Sequence, residues 1–178
     1  MSSSLVLSNK NFKINSHLFN LGAIICIYML PAFSHLLSFP LYMVDPMRII
    51  ILLSVIHTSN RNSYLIAFTL PLFSFLIASH PVAIKSLLIG TELILNIWVF
   101  YQLYNKLSNK YFVMFASIII SKIYYYLAKS ILISAGLLQG ELISTPVYLQ
   151  LAVAMLISGY LFFITRTKTD WFNERLFF

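Results

Sequence analysis

The chain has 178 residues, of which 60 % are apolar and only 10 % charged, with a formal charge of +7 and a mean hydropathy of +0.85. A water-soluble domain carries about 25 % charged residues because its whole surface faces water, so this composition excludes a soluble fold. The positive charge does not read as a nucleic-acid surface either, since the basic residues lie between apolar runs and not in one patch.

The fold class expected is all-α: a polytopic membrane protein of about six transmembrane helices in a single bundle. A bilayer core is about 30 Å thick and a helix rises about 1.5 Å per residue, so a span needs roughly 20 residues. Residues 1–17 form a polar cytoplasmic segment with Lys10 and Lys13, and they lack the short apolar stretch and small-residue site of a cleaved signal peptide. The first run, Leu18 to Leu37, contains Pro31, which should kink it, and Cys26, which reads as a packing residue. The second, Pro46 to His57, opens on a proline at a helix-start position. It is short, and it spans only if Leu41 to Asp45 contribute or neighbouring helices bury its ends.

The third run covers Ser63 to Ser79 around Pro71, and the fourth covers Val82 to Tyr104, directly after His80–Pro81. These two form a helical hairpin with a two-residue joint. The fifth, Tyr111 to Leu138, is the longest, and the sixth covers Val147 to Thr165. The transmembrane domain is thus 18–166, followed by a cytoplasmic tail, 167–178. With the N-terminus inside, Lys10, Lys13, Arg61, Lys106, Lys110, Arg166, Lys168 and Arg175 are cytoplasmic, and only Arg48 and Lys85 lie at outer ends. That bias places both termini in the cytoplasm of a cell-membrane, multi-pass protein.

Ionisable residues inside a membrane are costly and mark a site or a lock. Glu92 in the fourth run and Lys122 in the fifth each lie roughly 15–17 Å from their helix starts, close enough in depth to meet. Lys85 and Lys129, each seven residues away on the same faces, extend the set outward, and Asn96 continues it inward. Two accounts stand side by side: a structural Glu92–Lys122 pair with Lys85 and Lys129 snorkelling, or a solute site open to the outside. In the second, Tyr125 and Tyr126, on the lysine side of the fifth helix, suit stacking on a flat ligand. Three lysines against Glu92 leave surplus positive charge, which suggests an anionic solute unless Asp45 supplies the counter-charge from the outer loop.

No catalytic pattern is present: Ser34–His35 would diverge on a helix, and no metal-ligand spacing or phosphate-cradling glycine loop occurs. His35, His57 and His80 merely flank span ends, and Tyr101, Tyr104 and Trp171 suit an interfacial belt. The expectation is a protein that is not an enzyme and holds no cofactor, with membrane lipid and a small-molecule solute as partners, and no nucleic acid.

The succession Leu30-Pro31, Ser34-His35, Asp45-Pro46-Met47-Arg48, Pro71-Leu72-Phe73-Ser74-Phe75, His80-Pro81 and Glu92 resembles the S component of energy-coupling-factor (ECF) transporters. It covers about Pro31 to Asn96. That resemblance implies a six-helix, substrate-binding membrane subunit for uptake of a vitamin-like solute, driven by a transmembrane coupling subunit with ATPase subunits. The alternative of another class is a structural six-helix scaffold subunit of an envelope complex, MreD-like, which needs no pocket.

Overall fold

The computed structural model describes residues 16–36, 41–78 and 82–167. Among them are six α-helices and no strand: α1 (Ser16–Leu36), α2 (Pro46–His57), α3 (Asn60–Ala78), α4 (Ala83–Tyr104), α5 (Lys110–Ser134) and α6 (Val147–Thr167), with a 3-10 turn, Leu41–Val44, before α2. The N-terminal segment up to residue 15, the His80–Pro81 joint and the tail from residue 168 lie outside the described residues.

Local chemistry sets several boundaries. Pro46 at the start of α2 lacks only an N–H that the first turn leaves unpaired anyway. Asn109 caps α5, its side-chain oxygen accepting from the backbone of Tyr111 at 3.1 Å and Phe112 at 3.4 Å. α5 ends at Ser134 and not at Leu138, because Gly136 and Gly140, at φ 71° and 114°, turn the chain back over the bundle. α3 begins at Asn60, earlier than the apolar run, because the polar residues of the α2–α3 turn pair among themselves. Ser54 meets Thr58 at 2.9 Å and Ser63 at 3.1 Å, and Asn62 exchanges reciprocal 2.9 Å amide bonds with Asn20 of α1. Pro71 lies inside α3, and its carbonyl accepts from Ser86 of α4 at 2.6 Å, which joins the two helices.

α2 is the central element. It packs on α1, α3, α4 and α6, and Ile51, Leu52 and Ile56 are wholly buried. Large exposed apolar side chains occur on every helix except α2, among them Leu21, Phe68, Trp98, Leu127 and Leu156. Cys26 faces outward on α1 and does not pack inside, contrary to expectation. α4, α5 and α6 are long and apolar enough to cross a membrane. With 12 residues, or about 18 Å, α2 is far short of that. It is a buried core helix.

Candidate functional site

α2 begins half-way along its neighbours. Its first turn meets Glu92, near the middle of α4, and Ser121 and Lys122, near the middle of α5. Asp45 stands just before Pro46 in the left-handed region, φ 55° and ψ 58°, a conformation that asparagine and aspartate tolerate better than most non-glycine residues. An aspartate at a helix start ordinarily caps the first-turn amides, yet Asp45 makes no side-chain cap bond. Its Oδ2 instead accepts from Arg48 Nε at 2.9 Å and from Lys122 Nζ at 2.9 Å.

Arg48 distributes the contacts. It is 2 % exposed, and its planar fork reaches three partners: Nε to Asp45, Nη1 to Ser121 Oγ at 3.2 Å, and Nη2 to Glu92 Oε1. The same Glu92 oxygen lies 3.5 Å from Lys122 Nζ. One turn along α4, Asn96 Nδ2 donates to Ser121 Oγ at 2.9 Å, while Ser121 gives its own proton to the Ile118 carbonyl, also at 2.9 Å. A hydroxyl has one proton and accepts with its remaining lone pairs. Ser121 must therefore accept from both Arg48 and Asn96, which fixes the Asn96 amide. Its Oδ1 is left buried with no hydrogen-bond partner.

The network holds two cations, Arg48 and Lys122, against two carboxylates, Asp45 and Glu92. A buried charge is tolerable only when paired, and the balance here is one to one. The amino end of α2, the positive end of its dipole, adds to the attraction on the carboxylates. Arg48, Glu92, Asn96 and Ser121 form a closed base, while the side chains of Asp45 and Lys122 are 31 % and 19 % exposed.

The residues expected to share one site divide into two groups. Glu92, Lys122 and Asn96 belong to the network. Lys129, 3 % exposed, does not: its ammonium donates to the carbonyls of Glu141 at 2.6 Å and Leu142 at 2.9 Å in the α5–α6 connection. Lys85, half-buried on the first turn of α4, lies near enough to Lys129 for the two to repel, with Glu141 as a nearby counter-charge. Tyr125 stands between the groups, its ring 5.5 Å from Lys122 Nζ and 5.9 Å from Lys129 Nζ, with an edge contact to Tyr126. The ring that was expected to stack on a ligand thus serves two ammonium groups. Tyr126 is turned to α6, its hydroxyl exchanging hydrogen bonds with Gln150 at 2.6–2.9 Å.

Sequence reasoning missed Arg48 and Ser121 and treated Asp45 only as a remote counter-charge. The surplus of positive charge inferred from lysines against Glu92 is removed at the network, because Asp45 neutralises Lys122 and Arg48 is matched by Glu92. The length of the second run carried half of the signal: twelve residues that cannot cross must have one end deep in the bundle, but only packing shows that it is the end that bears Asp45 and Arg48. No family model matches the chain, and no curated protein or solved structure shows significant similarity to it.

Proposed function

We propose that this chain is a multi-pass membrane protein whose charge network floors a solute-binding site, and that it serves as the solute-binding subunit of an uptake transporter. One observation carries it. A network that served only to lock helices would close on itself, whereas this one has a partly exposed pair, Asp45 and Lys122, over a buried base with an unused acceptor, Asn96 Oδ1. Mid-depth sites where a short helix ends inside the bundle are a recurrent way for membrane proteins to hold polar solutes. The resemblance to ECF S components points the same way; the reading places six helices in the bilayer, lipid around the exposed apolar faces, and both termini in the cytoplasm. On this reading, energy comes from a coupling subunit and its ATPases.

The balance of two cations against two carboxylates favours a second reading, a scaffold subunit whose network only fixes helix packing. A thermal-shift screen of the purified protein in detergent against vitamins and their precursors separates the two, because a ligand that binds only the folded state raises its stability. The transporter reading expects at least one solute to shift Tm in a saturable way. A screen in which no solute shifts Tm leaves the scaffold reading.

A further inference from the structure

The network's hydrogen bonding is lopsided. Every side-chain nitrogen in it has at least one partner, though not every N–H is used: Arg48 Nε, Nη1 and Nη2, Lys122 Nζ and Asn96 Nδ2. Three oxygens have none among the described residues, and of these only Asn96 Oδ1 is fully buried. Asp45 places both of its ion contacts on Oδ2 and leaves Oδ1 unused. Glu92 places both of its own on Oε1 and leaves Oε2 unused. Asn96 Oδ1 is buried and unpaired, its orientation fixed by Ser121. Glu92 and Asn96 are four residues apart on one face of α4, and both connect to Arg48, directly or through Ser121. An unpaired buried acceptor is disfavoured and is normally met by a donor from water or a ligand.

Charge narrows the class further. Within the network two cations are matched by two carboxylates, and Lys129, beyond Tyr125, already gives its ammonium to the carbonyls of Glu141 and Leu142, so a charged solute at the network would add a charge that no network group matches. We infer that the site takes an uncharged solute that presents N–H or O–H donors to Asp45 Oδ1, Glu92 Oε2 and Asn96 Oδ1, and that it discriminates against the anionic form of the same molecule. This rests on the solute-binding reading above and replaces the anionic solute that the lysine count suggested.

Matched pairs of vitamins test it on the whole protein in detergent: nicotinamide against nicotinate, pantothenol against pantothenate, pyridoxal against pyridoxal 5′-phosphate, and riboflavin against its 5′-phosphate. In any pair that binds, the uncharged member should bind at least tenfold tighter by titration. Its affinity should fall about tenfold in Asn96→Leu, which removes the fixed acceptor. The comparison within wild-type protein needs no variant, so it decides even if Asn96→Leu does not fold. Tighter binding of the anionic member, or an unchanged affinity in folded Asn96→Leu, overturns the donor assignment and leaves the transporter reading standing. If nothing in the panel binds the folded protein, both fall.

Discussion

Arg48 carries more of this molecule than its place in the sequence suggests. Its guanidinium touches α4, α5 and the residue before α2 at once, and among the described residues no other side chain makes all three contacts. Removing one partner of a buried ion pair strands the other, at a cost of about 3–5 kcal/mol. Arg48→Met and Glu92→Gln should each lower unfolding stability in detergent by that order, and the double replacement Arg48→Met/Glu92→Leu should recover much of it. Strictly additive losses would show that the two residues do not depend on each other. Lys122→Met should cost less, about 1 kcal/mol, because the side chain is partly exposed and Asp45 keeps Arg48. The backbone of Asp45 offers a separate test. At φ 55° an alanine pays a left-handed penalty of about 1–2 kcal/mol that glycine does not. Asp45→Ala should therefore be less stable than Asp45→Gly by that margin, although both lose the carboxylate, and equal melting temperatures would contradict the strained backbone. Glu92 and Lys122 were legible as neighbours from residue counting along two helices. Arg48 was not, because a residue on a helix's first turn reads as lying at the surface until the helix is known to start deep.

The helices themselves were largely legible, since their apolar runs bound them to within a few residues; α2 matches from Pro46 to His57. What hydropathy could not supply was where along its neighbours α2 begins, which depends on packing against α4 and α5. Nor could it show that the end of the fifth run folds back. Residues 135–146 return over the bundle through Gly136 and Gly140, Leu138 packs against Leu88 and Tyr125, and Lys129 binds the carbonyls of Glu141 and Leu142. A buried ammonium satisfied by two carbonyls acts here as a clasp on the α5–α6 connection. Lys129→Met should therefore raise amide hydrogen exchange across residues 135–146 severalfold while leaving protection in α2 unchanged. Equal exchange in the two proteins would mean that the connection is held by its apolar contacts alone.

At the scale of the whole molecule, the contacts define two ends. Asn20 of α1 pairs with Asn62 at the start of α3, and His57 at the end of α2 bonds Tyr160, late in α6, at 2.9 Å. The start of α1 and the finish of α6 therefore share one end of the bundle. The opposite end holds the start of α4, the α5–α6 connection and the Tyr126–Gln150 pair. Among the described residues, Arg61, Lys106, Lys110 and Arg166 belong to the first end, and Lys85 with Glu141 to the second. Lysine and arginine near span ends favour the cytoplasmic side, so the first end should face the cytoplasm. Ser108, in the α4–α5 connection, and Ser144, in the α5–α6 connection, are both exposed and lie at opposite ends of α5. In a Cys26→Ser background, a membrane-impermeant thiol reagent applied to intact cells should label Ser144→Cys and spare Ser108→Cys until the membrane is opened. The reverse pattern would invert the orientation. Labelling of both from outside would mean that α5, the longest of the apolar helices, does not cross the bilayer.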